Sequence, residues 1–195
     1  MRPAALRCLT FDTLVGVQPI VLHPKARDAI RRFPKEVRFR LGRGLFRLQL
    51  GEQIGMPDSR PMPAVAPGVS ELRAKGEDGI FRVFYHENVS RSFSMPRLKP
   101  IVATTPEELA GALGLSSAAA KEWQVQHALL KRLKEIVRRQ EITHAEIARR
   151  AGTARTRVTA ILNDDLEHVS SDLLIRILAS LGYRVRVSVV RSDAA

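Results

Sequence analysis

The spacing of apolar positions changes along the chain and divides it into a mixed half and a helical half. Val17 to Leu22 is a short β-branched run that ends at His23-Pro24, a dipeptide suited to opening a helix. Ala26, Ile30 and Phe33 then sit at helical spacing until Pro34 interrupts. Val37, Leu41, Leu45 and Leu48 repeat every three or four residues up to Gly51, which predicts a helical pair with arginines on its outer faces. Four prolines between Met56 and Gly68 require an extended loop. Val69 to Lys75 and Ile80 to His86 alternate as strands do, with Gly76-Glu77-Asp78-Gly79 between them, so a β-hairpin is expected.

Beyond Met95 the pattern is helical. Thr105-Pro106-Glu107-Glu108 supplies a capping hydroxyl, a first-turn proline and two carboxylates for a short helix reaching Leu113. A longer helix is expected from about Ser117 to Gln140, with Trp123, Leu130, Leu133 and Val137 in one apolar stripe and Leu129 and Ile136 widening it. Thr143-His144-Ala145-Glu146 has the spacing of a capping box, opening a helix that closes at Gly152. Thr153 or Ala154 opens the next helix, which ends at Leu162-Asn163. Ile147, Ala148, Ala151, Val158, Ile161 and Leu162 form an apolar wedge between the two. Ser170-Ser171-Asp172 caps a further helix from Leu173 to Leu181, closed by Gly182. Tyr183 to Val190 alternates polar and apolar residues, as a strand with one buried face would.

Charge adds a partner class to this outline. The chain carries 32 Lys+Arg against 20 Asp+Glu among 195 residues, a formal net charge of +12, and both halves are basic. An excess of this size attracts polyanions through phosphate contacts and counterion release, which favours nucleic acid over other partners. An anionic membrane is disfavoured because no basic segment has the long aromatic-rich apolar face of an interfacial helix. No apolar run is long enough to span a bilayer and no signal peptide is evident, so a cytoplasmic protein is expected. The single cysteine, Cys8, excludes an internal disulfide and any cysteine cluster for a metal. His23, His86, His127, His144 and His168 have no metal-ligand spacing, and neither Gly42-x-Gly44 nor Gly111-Ala-Leu-Gly114 has the context of a phosphate loop, so no metal or other cofactor is expected.

The string from Ile142 to Asn163 resembles, in register, the helix-turn-helix of the Cro and repressor class, the Xre family, with His144 where that family usually has glutamine. The resemblance implies a second helix lying in the major groove of duplex operator DNA. Arg155, Thr156 and Thr159 would then read base edges, with Ala160 against a thymine methyl. Thr143, His144, Thr153 and Arg157 would meet phosphates. It also implies a two-fold dimer on a palindromic operator.

Residues 17–88 resemble the HigB toxins of the RelE superfamily, ribosome-dependent ribonucleases with two helices on an antiparallel sheet. The likeness rests on Phe33-Pro34-Lys35-Glu36-Val37-Arg38, Leu48-Gln49-Leu50-Gly51, Glu71-Leu72-Arg73 and Phe81-Arg82-Val83-Phe84-Tyr85. The part from Met95 onward resembles the HigA antitoxins. The chain is therefore expected to be an α+β fusion: a truncated RelE-like domain over 1–94, a linker and short helix over 95–116, and a helical helix-turn-helix domain with a terminal strand over 117–195. The family's last core strand and lysine-rich tail are replaced by Asn88 to Met95, with Val89 to Ser94 as the substitute strand. Arg73, Arg82 and Tyr85 are the remnant catalytic candidates, against the plainer alternative of solvent-facing positions on a hairpin. The favoured function is a DNA-binding repressor and antitoxin of a type II toxin–antitoxin system carrying an inactive toxin domain, and more a binding protein than an enzyme. The alternatives are a latent metal-independent mRNA endonuclease acting on the ribosome and inhibited in cis, and an antitoxin for a separate HigB-type toxin.

Overall fold

The computed structural model describes residues 17–86, 99–166 and 169–186, and the chain divides into two compact units between Trp123 and Gln124. The architecture is mixed α+β. In the first unit, β1 (Ile20–Leu22) leads into α1 (Pro24–Arg31), whose N-cap is His23, with Nδ1 accepting from the Lys25 amide at 3.2 Å. Helix α2 (Lys35–Gln49) follows Pro34. Strands β2 (Ser59–Pro61), β3 (Val69–Gly76) and β4 (Gly79–His86) form one antiparallel sheet in that order. The expected hairpin is present to within a residue, with Gly76 opposite Gly79 and Glu77-Asp78 as its two-residue turn. Gly79 has φ +125°, a conformation that excludes a side chain.

One face of this sheet is apolar because β3 and β4 alternate. Leu72 and Ala74 are buried with Val37, Leu41, Leu45 and Phe46 of α2, and Phe81, Val83 and Tyr85 pack against the same core. Gly44 lets α2 approach closely: a Cβ there would stand 3.0 Å from the Leu72 methyls.

The segment 95–116, expected as linker and short helix, contributes two elements to this unit. Strand β5 (Ile101–Ala103) pairs antiparallel with β1, setting Ile20 opposite Ala103, and helix α3 (Pro106–Ala112) buries Leu109 and Ala110 in the same core. The capping box is complete here: the Glu108 amide donates to Thr105 Oγ1 at 3.1 Å and the Thr105 amide to Glu108 Oε2 at 3.3 Å. Two arginines expected on the outer faces instead satisfy the carbonyls where α3 ends. Arg31 donates to Gly111 O and Ala112 O, and Arg38 to Leu113 O and Gly114 O, at 2.7–3.0 Å. Buried Gln49 donates to Ala103 O at 3.1 Å, tying the end of α2 to β5.

Helix α4 spans Ser117–Gln140, as its periodicity predicts, but its apolar positions serve two cores. Trp123 belongs to the first, where it lies 5.6 Å from the Phe39 ring and against Gly42, whose Cβ would come within 2.3 Å of the indole. Leu129, Leu130, Leu133 and Ile136 belong to the second, with α5 (His144–Ala151), α6 (Arg155–Leu162) and α7 (Ser171–Ser180). Ser170 caps α7 through the Leu173 amide at 3.2 Å. Residues 183–186 of the expected terminal strand are not in a strand, so their alternation is not matched by pairing within the described chain. The rest of that strand, and the substitute strand Val89 to Ser94, lie outside the described residues.

Candidate nucleic-acid interface

The turn between α5 and α6 is built by small residues. Gly152 closes α5 with φ 62° and ψ 39°, the left-handed region that a glycine enters without cost, and the Thr153 amide donates to Ala148 O at 3.0 Å. Ile147, Ala148, Val158 and Ile161 are buried beneath the turn and hold the helices together. The loop after α6 is fixed as well: Lys134 Nζ reaches Asp164 Oδ1 at 2.6 Å, and Asp164 has φ 68°.

Against this scaffold, the site residues expected on α6 differ in exposure. Arg155, Thr156 and Arg157 are exposed, while Thr159 and Ala160 are half-buried. Among the described residues, Arg155 and Thr156 make no polar side-chain contact. At the start of α5, Thr143 is exposed and its Oγ1 accepts from the Glu146 amide at 3.2 Å. The expected reciprocal half of that capping box is not formed. Glu146 instead accepts from Arg149 and Arg150 at 2.6–2.8 Å, because charged donors bind a carboxylate more strongly than an amide does. Hydrogen bonds from Arg149 and then Arg150 hold the Glu146 carboxyl at about 2. His144 is joined to Thr159 across the two helices, Nδ1 to Oγ1 at 2.9 Å. Thr153 is half-buried in the turn.

The three catalytic candidates of the first unit are divided between the two faces of the sheet. Arg73 and Arg82 are directly opposite each other in β3 and β4 and converge on Glu71, with nitrogens 2.8 and 2.9 Å from its Oε1. Arg60 of β2 approaches Oε2 at 3.6 Å. Glu71 is only 1% exposed, and the Arg73 hydrogen bond, with charge from Arg73, Arg60 and Arg82, holds its carboxyl below the usual range against the cost of burial. Phe84 and Ile80, each more than half exposed, flank this face. Tyr85 is on the opposite, core-packed face, where its hydroxyl lies 2.9 Å from buried Ser59 Oγ. Odd and even positions of a strand point to opposite sides, which is why Tyr85 cannot join Arg82. Glu71 and Arg60 were missed as partners, although the Glu-x-Arg alternation of β3 already puts Glu71 and Arg73 on one face.

Two family comparisons bear on these units. Residues 113–190 match the family described as Helix-turn-helix domain. Residues 28–95 match the family described as Phage derived protein Gp49-like, a RelE/HigB-type toxin family. The pair is consistent with a toxin–antitoxin fusion, and the helix-turn-helix domain supports DNA binding. No curated protein and no solved structure matches the chain. Among the described residues, no helix is long and apolar enough to cross a membrane.

Proposed function

We propose that this protein is a sequence-specific DNA-binding repressor and antitoxin of a type II toxin–antitoxin system, with HigA-like residues 117–195 following an inactive HigB-like domain over 1–94. The observation that carries the proposal is the α5–α6 pair, with its left-handed Gly152 turn and with Arg155 and Thr156 exposed on α6 and making no polar side-chain contact among the described residues. A helix so presented fits the major groove, where a guanidinium reads guanine O6 and N7 as a bidentate donor. The protein acts as a two-fold dimer with recognition helices about 34–36 Å apart. Selection of bound duplexes from a random pool tests this directly. An enriched palindromic motif is expected, and an unenriched pool rejects it.

A latent mRNA endonuclease is the second reading, favoured by one observation: Arg60, Arg73 and Arg82 do gather on one sheet face. Against it, the cluster already holds a carboxylate and Tyr85 is turned away, leaving no proton-transfer group among the expected candidates. Growth arrest by residues 1–123 expressed without the helix-turn-helix unit, relieved by Arg73→Ala or Arg82→Ala, would favour the endonuclease.

A further inference from the structure

Strand β4 is at the edge of its sheet, whose order is β2–β3–β4. Gly76 and Gly79 close the hairpin as a directly opposed pair. Gly79, Phe81, Val83 and Tyr85 therefore turn their backbone polar groups toward β3, while Ile80, Arg82, Phe84 and His86 turn theirs away. Among the described residues no strand takes up this second row. We propose that it pairs with the same row of a second copy, antiparallel about a two-fold axis at Val83, so that two sheets become one. This contact belongs to the first unit, forms without DNA and goes beyond the DNA-binding proposal.

The edge lacks the devices that prevent such pairing. It runs for eight residues in unbroken register, with no proline, lysine or bulge. Ile80 and Phe84 are 54% and 53% exposed on its outer face. Phe81, Val83 and Tyr85 pack against the core yet stay only half-buried, which leaves apolar area for a neighbouring strand to cover. Arg82 is the one arginine of the strand, and it lies 2.9 Å from buried Glu71. Its charge is already matched, so it repels a second copy less than a free guanidinium would.

The edge also fits itself in one register. A two-fold axis perpendicular to an antiparallel ladder sets one residue opposite its own copy. With Val83 on the axis, Phe84 faces Arg82, Phe81 faces Tyr85 and Ile80 faces His86. A guanidinium then meets an aromatic ring on the outer face, and aromatic meets aromatic on the core side. The free backbone groups of Arg82 bond those of Phe84 across the axis. Moving the axis to Arg82 sets two guanidiniums against each other, and moving it to Phe84 shortens the ladder to residues 82–86. Pairing over residues 80–86 covers less than the roughly 800 Å² per partner of a standard interface, so a micromolar dimer is expected.

Sedimentation of the full chain without DNA, from sub-micromolar to high micromolar concentration, should show monomer passing to dimer. Phe84→Lys sets a cation against Arg82 of the second copy, and the contact occurs twice, so the dimer should weaken at least about tenfold. An unchanged urea midpoint verifies that this exposed substitution leaves the fold intact. Cross-linking gives a second measurement that keeps Phe84. In a Cys8→Ser background, Val83→Cys should form a disulfide-linked dimer on mild oxidation, because its pair is the close, non-hydrogen-bonded kind. Arg82→Cys and Phe84→Cys should cross-link when mixed and not singly.

A monomer at every concentration, as when residues 89–94 of the same chain hold the edge, would overturn the inference. So would a dimer that Phe84→Lys leaves intact, a Val83→Cys chain that does not cross-link, or Arg82→Cys that cross-links alone. Each of these leaves DNA binding to be decided by the operator selection. An unenriched pool alongside cross-linked Val83→Cys dimers would reject the DNA-binding proposal and support this contact.

Discussion

Two arginine-rich surfaces of this molecule carry the same side chain in opposite electrostatic states. On the sheet of the first unit, Arg60, Arg73 and Arg82 share buried Glu71. On α6 of the second unit, Arg155 stands exposed with no carboxylate partner among the described residues. The net charge of +12 is therefore a poor guide to where a polyanion binds. A guanidinium already matched to a carboxylate must give up charge-assisted hydrogen bonds to take a phosphate, whereas an unmatched one gives up only water. Even within the second unit the contrast recurs, since Arg149 and Arg150 are held by Glu146.

The strongest way to break the contrast is to remove what supports the sheet. Trp123 fills the space over Gly42 on α2, and α2 backs β3. Trp123→Ala should cost about 3–5 kcal/mol in the unfolding of the first unit, measured by urea denaturation. A change below about 1 kcal/mol would show that the indole does not support that core.

Arg155→Ala should weaken operator binding by roughly 1–3 kcal/mol and relax specificity at one base pair, whereas Arg82→Ala should leave operator affinity unchanged. Equal losses in a gel-shift titration would erase the distinction between the surfaces.

Glu71→Gln removes the charge that the three arginines share. It should increase retention of the protein on single-stranded RNA at low salt, and an unchanged elution salt would mean that Glu71 does not mask the cluster.

Loss of the Thr105 cap by Thr105→Ala should cost about 1 kcal/mol of first-unit stability, read from the denaturation midpoint.

The smallest effect is acidic. The folded-state value of Glu146 lies near 2 against 4.5 for the free group, so its contribution is complete above about pH 4.5 and fades as pH falls toward 2. Carboxyl NMR should give a midpoint near 2 for Glu146 and one below 4.5 for Glu71. An ordinary midpoint at Glu146 would mean that Arg149 and Arg150 do not hold it in solution.

Local patterning carried the sequence a long way. The three- to four-residue spacing of Leu129, Leu130, Leu133 and Ile136, the capping hydroxyls of Thr105, Thr143 and Ser170, and glycine at 152 each act within a turn or two of chain. The helices they specify are therefore legible without a partner. The hairpin from Val69 to His86 was legible for the same reason, because alternation and a two-residue turn are local properties. The helix-turn-helix site residues came from the resemblance of the string Ile142 to Asn163 rather than from spacing.

Only tertiary structure decided the long-range partnerships. Nothing near Arg31 and Arg38 indicates that their guanidiniums satisfy carbonyls about 75 to 81 residues away. Nor does the stripe of α4 reveal that Trp123 enters a different core from Leu130. The parity of β4 separated Tyr85 from Arg82, but burial of Glu71 beneath arginines of three strands required the completed sheet. The His144–Thr159 bond likewise exists only once α5 and α6 are packed. Spacing sets which side of an element a residue faces, while its charge partner and its donor direction depend on groups that only chain closure brings within about 3 Å.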